Sequence, residues 1–143
     1  MSDAETWLNR YAEIWPTFDH ERIHELVHLE ATIFHSGMRA PITGAEEPEY
    51  VRRAKLMMPD VALEIRASAC QGNVVFVEYR TSGTPVTGRL SGRSLSWDGI
   101  GRFTLRGDRV IDVVGRWDTL PLWAELEPEM ARDGSFLEAS LNP

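Results

Sequence analysis

The chain has 143 residues, 43% of them hydrophobic and 26% charged, and carries a formal net charge of −7. That length suits one domain with a buried core, and the acidic balance, with Lys and Arg scattered, excludes the basic stripe of a nucleic-acid surface or an anionic-membrane binder. Cys70 is the single cysteine, so no intrachain disulfide can form.

The opening "MSDAETWLNRYAEIW" is acidic and amphipathic, without the basic start and apolar run of a signal peptide. No stretch approaches the roughly 18 apolar residues of a membrane span. A soluble cytoplasmic protein is the expectation.

Ser2 and Glu5 have capping-box spacing, which starts a first helix. Trp7, Leu8, Tyr11, Ile14 and Trp15 recur at helical period, and Pro16 ends the run. A short second helix is expected from about Asp19, with Ile23, Leu26 and Val27 on one face. "LEATIFHSG" has the composition of a strand ending at a glycine. Thr43 and Glu46 repeat the capping-box spacing ahead of a third helix, "EPEYVRRAKLMM". Pro48 is tolerated in its first turn and Pro59 closes it.

Strands then follow one another: "VALEIRASA", "NVVFVEYRTSG", "GRSLSWDG", "GRFTLRG" and "DRVIDVVGRW". The segments "QGN", "TPVTGRLSG" and "RGD" between them carry turn residues. "TLPLWAELEPEMA" is the last helix, and residues 132–143 form a polar, loosely held tail after a domain of residues 1–131. Helices followed by an antiparallel meander give an α+β class, with helices packed on one face of a curved sheet.

Along "VVFVEYRTSG", Val75, Val77 and Tyr79 face one side while Phe76, Glu78 and Arg80 face the other. Trp97 faces away from Ser96 and Asp98, Gly99 is expected to be a bulge, and Arg102 lies beyond it. His20, His24 and His28 have i, i+4, i+8 spacing, but Ile23, Leu26 and Val27 define the buried side. The histidines then lie on a solvated face, and no His-Glu-x-x-His or cysteine pattern points to a metal. Neither a glycine-rich nucleotide loop nor a nucleophile elbow around Ser94 or Ser96 is present. Asp118 stands between the last strand and the last helix, with Pro121 in the first turn, which is the place of an N-cap.

The segments "FHSG…ITG", "MMPDVALEI", "VVFVEYRTSGTPVTG…SGRSL" and "GRFTLRGDRVIDVVGRWDTLPLWAEL" resemble the SnoaL-like polyketide cyclases of the NTF2-like superfamily, over roughly Thr6 to Leu126. The most specific parts are the "PD" after the third helix, the turn at Gly83, Thr84 and Gly88, and the hairpin ending in Asp118. This resemblance implies an NTF2-like cone-shaped barrel, with a curved antiparallel sheet wrapped around N-terminal helices and an apolar cavity, and a homodimer. It implies a cofactor-independent acid/base enzyme acting on an apolar or polycyclic carbonyl compound, by intramolecular aldol-type cyclisation or a related isomerisation. A non-catalytic small-molecule binder and an epoxide-hydrolase-like enzyme are the alternatives on the same scaffold.

In the family the aspartate closing the last long strand is the general acid/base, and Asp118 matches that position. Capping and proton transfer make opposite demands on that carboxylate, since backbone N–H bonds favour its charged form and an apolar cavity its neutral one. His35, at the end of the first strand, is its catalytic partner, able to share a proton or orient a carbonyl. Trp15, Tyr79, Trp97 and Trp117 are the candidate apolar contacts to substrate, and Tyr50, Arg102 or His35 the candidate oxyanion donors. Arg116, two residues before Asp118 on the same strand face, is a substrate-orienting candidate if that face turns inward.

Overall fold

The computed structural model of the chain describes residues 1–126. Helix α1 (Asp3–Ile14) begins at the expected capping box: Ser2 accepts from the Glu5 N–H while the Glu5 carboxylate accepts from the Ser2 N–H. Ala4, Trp7, Tyr11 and Ile14 form its buried face. Pro16 then sits in a single 3-10 turn, Trp15–Thr17.

The expected second helix does not form. Residues 19–26 make turns and one short 3-10 segment, Ile23–Glu25. Ile23, Leu26 and Val27 are buried as the pattern required. They are held by partners distant in sequence, however: Val110 donates its N–H to the Leu26 carbonyl, and Trp7 Nε1 donates to the same oxygen at 2.9 Å. His20, His24 and His28 therefore share no helical face, and His28 lies on strand β1 (Val27–His35) with Nε2 against the Arg106 carbonyl.

After β2 (Ile42–Thr43) comes α2 (Glu47–Met57). Only half of its expected capping box exists: Glu46 accepts the Thr43 N–H at 2.8 Å, but the N-cap is Glu46 itself and the helix begins at Glu47. Strands β3 (Ala62–Gln71), β4 (Val74–Gly83), β5 (Leu95–Arg106) and β6 (Arg109–Trp117) form the meander, and α3 (Leu120–Leu126) follows. The sheet order is β2-β1-β6-β5-β4-β3. All neighbours are antiparallel except β1 and β6, which run parallel. The 132–143 tail lies outside the described residues. Among those described, no helix is long and apolar enough to cross a membrane.

The segments read as two strands around Gly99 are one strand, β5. Gly99 pairs with Tyr79 on one side and Trp117 on the other in unbroken register, and the irregularity in the β5–β6 pairing lies at Thr104/Leu105. The glycine is there for space rather than for a bulge. A Cβ on it would stand 2.6 Å from Cζ of Tyr79 and 2.7 Å from its hydroxyl.

Alternation in β4 follows expectation, with Val75, Val77 and Tyr79 buried and Phe76, Glu78 and Arg80 outside. The outer face carries the Arg80–Asp98 pair at 2.9 Å, while α1 covers part of the inner face through Trp7, Tyr11 and Phe103 at centroid distances of 4.9–5.2 Å.

Because the Tyr79 ring occupies the space above Gly99, Gly99→Ala forces that ring or the strand to move. Overpacking of this kind costs about 1–3 kcal/mol. Urea unfolding of the variant should show that loss, and an unchanged midpoint would contradict the packing.

Candidate functional site

Between α1 and the part of the inner face it leaves uncovered, the sheet, α2 and the β4–β5 loop surround a pocket of about 530 Å³. Six of the residues expected from sequence line it: Trp15, His35, Tyr50, Tyr79, Trp97 and Trp117. They come together because inward positions on neighbouring strands stack in register. Trp117 pairs with Gly99 across β5–β6, and its ring lies 5.4 Å from Trp97. Trp15 extends the aromatic cluster of α1, 6.0 Å from Tyr11.

The polar side of the pocket is built on β1 and α2. His35 ends β1 opposite Gly115 of β6, and a Cβ at Gly115 would collide with Nδ1 of the imidazole. Glu47, the first residue of α2, is 2% exposed although its side chain is a carboxyl group. Its Oε1 stands 3.5 Å from His35 Nε2, and its Oε2 has no hydrogen-bond partner among the described residues. Tyr50, one turn along α2, stacks its ring on His35 at 5.8 Å.

A carboxylate in a first helical turn is favoured by the free N–H groups there. Burial with one oxygen unpaired still carries a large desolvation cost. The 3.5 Å contact is longer than a committed N–H···O bond, which leaves both Glu47 and His35 able to engage a ligand. Sequence reading missed Glu47. The available signal was its place in the first turn, three residues before Tyr50 and so on the same helical face.

The three tyrosines of the chain all line this pocket. Burial, with smaller contributions from Tyr79 and Glu47, pushes the Tyr11 phenol far above its usual range. Burial next to Glu47 also raises Tyr50, and burial near Tyr50 raises Tyr79 to about 12. Each phenol is thereby held as an O–H donor.

Three expected residues stand elsewhere. Asp118 is exposed, and its Oδ1 accepts the Leu120 N–H at 2.9 Å at the start of α3. Its backbone N–H donates to the Asp98 carbonyl, which fixes the strand end. Arg102 faces outward and donates to Asp112 at 3.3 Å. Arg116 is exposed too, its guanidinium 5.4 Å above the Phe34 ring.

Residues 8–113 match the family model described as the SnoaL-like domain. No curated protein matches the sequence significantly. Among solved structures, a candidate polyketide cyclase from Acidithiobacillus ferrooxidans superposes with a TM-score of 0.74 at 18% identity, covering 89% of this chain and 96% of that one. A SnoaL-like polyketide cyclase from Agrobacterium tumefaciens gives a TM-score of 0.72 at 12% identity, over 88% and 99% of the two chains. An LEH-like epoxide hydrolase of M. tuberculosis gives 0.69 at 13% identity, over 87% and 89%. At these identities the likeness is one of fold.

The tyrosines make the fold sensitive to alkali. A phenol whose folded pKa is raised adds stability that is whole below the unfolded value, and the stability is lost as pH climbs through the folded value. For Tyr79 that window runs from 10.0 to about 12. Tyrosinate absorbance of the folded chain should stay flat through pH 10 while the urea midpoint begins to fall above it. A tyrosine ionising at its ordinary value in the folded chain would contradict the burial.

Proposed function

The chain belongs to the SnoaL-like domain family, and from that premise we propose that the pocket is the active site of a cofactor-independent acid/base enzyme acting on an apolar carbonyl compound. The observation that carries the reading is Glu47: a buried carboxylate with one free oxygen, beside an imidazole, in a pocket otherwise lined mainly by aromatic and aliphatic side chains. Such a group has little structural reason to be there, and proton transfer supplies one.

In the proposed reaction, Glu47 takes a proton from the carbon next to a carbonyl, and His35 shares or relays it. The carbonyl becomes an enolate, whose oxygen accepts a hydrogen bond from Tyr50 or Tyr79. In the cyclising form, the enolate carbon bonds to a second carbonyl carbon of the same molecule, and the resulting alkoxide receives the proton. In the isomerising form, the proton returns to a different carbon. Trp15, Trp97 and Trp117 hold the flat apolar part of the substrate.

Asp118 on this reading shapes the start of α3, and Arg102 and Arg116 belong to the outer surface. The epoxide hydrolase among the neighbours supports a second use of the same groups. There the free Glu47 oxygen would activate a water while a phenol protonates the epoxide oxygen.

Hydrogen–deuterium exchange at the activated carbon of 2-tetralone, followed by NMR in deuterated buffer, tests the proton-transfer step. The wild-type chain should accelerate exchange, and Glu47→Gln should remove about 100-fold or more of it, the usual scale of a lost general base. Asp118→Asn should leave the rate unchanged. The opposite pattern, with Glu47→Gln silent and Asp118→Asn inactive, would return the proton to Asp118.

A further inference from the structure

The pocket also carries a cation, on its solvent-exposed rim. Arg89, in the β4–β5 loop, is exposed and is the only Lys or Arg among the described residues that line the pocket. Its loop is tied down rather than dangling: Val86 donates to the Met57 carbonyl, Gly92 to Pro85, and Thr84 to the Asp60 carboxylate at 2.7 Å. The other arginine of that segment near α3, Arg93, is engaged with Glu125 at 2.6 Å. No acidic side chain among the described residues pairs with Arg89.

The loop is anchored at Met57, the last residue of α2, whereas Glu47 is the first. At 1.5 Å per residue, the ten steps between them separate the two backbone positions by about 15 Å. Among the described residues, the pocket thus has an unpaired, exposed arginine in the loop anchored to the last residue of α2 and the Glu47–His35 pair at the first, with aromatic side chains in the same lining.

We propose that Arg89 is a specificity-determining residue, and that the substrate is an acid: an elongated apolar molecule whose carboxylate meets Arg89 while its reacting carbonyl lies at Glu47 and His35. The proposal rests on the pocket being the active site and adds the charge and polarity of what enters it. A guanidinium offers two parallel N–H donors to a carboxylate. A local cation is also what an anionic ligand needs to approach a chain of net charge −7.

The test compares two probes that differ by one charge, 2-anthroate and its methyl ester, by isothermal titration calorimetry. The wild-type chain should bind the acid about tenfold more tightly than the ester, the scale of one charge-assisted hydrogen-bonded pair. That preference should shrink as salt is raised. Arg89→Gln should abolish the preference while leaving the affinity for the ester unchanged. Equal affinities in the wild type, or a preference that survives Arg89→Gln, would overturn the proposal.

Trp97→Ala separates this outcome from failure of the site itself. If it weakens both probes and they bind equally to the wild type, the pocket stands and the acid falls. If neither probe binds, or Trp97→Ala affects neither, the pocket reading falls with it.

Discussion

The inner face of the curved sheet has to serve two purposes: it is the floor of the hydrophobic core and the wall of a pocket. Both fit because side chains are missing where they would collide. Gly99 makes room for Tyr79, Gly101 for the Phe103 ring, and Gly115 for His35. Phe103 then completes the packing against Trp7 and Tyr11, while Tyr79 and His35 are left facing open space. Glycine is unfavourable in a strand interior, so three on the inner faces of β5 and β6 mark where close approach matters more than strand propensity.

Against that frame of aromatic and aliphatic walls, Glu47 breaks the rule that buried polar groups are fully paired. A Gln or an apolar residue at the head of α2 would avoid the desolvation cost. Local violations of folding logic concentrate at functional sites, where the cost is offset by the rest of the fold. Here the offset is visible as a well-filled core beneath the pocket: Ile14, Ile23, Leu26, Val75, Val77 and Val110 are completely buried. The neutral phenols around the same pocket supply donors without adding a second charge, which suits a site where negative charge develops on oxygen.

Much of this was legible from local pattern. The Ser2–Glu5 box, the period of α1 and the alternation of β4 each depend on neighbours in sequence, and each formed as read. The family resemblance supplied the curved sheet and the helices against it, and inward alternation delivered Trp97 and Tyr79 to the pocket. What failed was governed by distant partners. Ile23, Leu26 and Val27 have helical spacing, yet the hydrogen bond from Val110 to Leu26 draws that segment toward the sheet. The parallel β1–β6 pairing has no local signature. Gly99 reads as a bulge because a strand glycine usually is one, and only the Tyr79 ring across the pair shows its use. Asp118 could be read from sequence as a helix cap or, by the family resemblance, as the acid/base, and what the structure adds is that its Oδ1 accepts the Leu120 N–H. Glu47 was hidden because a Glu in a first helical turn is normally solvated, and the residue it faces, His35, lies on β1 rather than on its own helix.

If proton transfer belongs to His35 and Glu47 acting as one unit, their contributions cannot add. The most direct measurement is the deuterium-exchange rate of the double variant His35→Ala/Glu47→Gln beside its two parents. Groups that share one proton-transfer step lose most of the rate at the first substitution. The expected result is a double variant about as slow as the slower single one. Losses that multiply, so that the double variant is slower by the product of the two single effects, would show two independent groups and contradict the shared-proton pair.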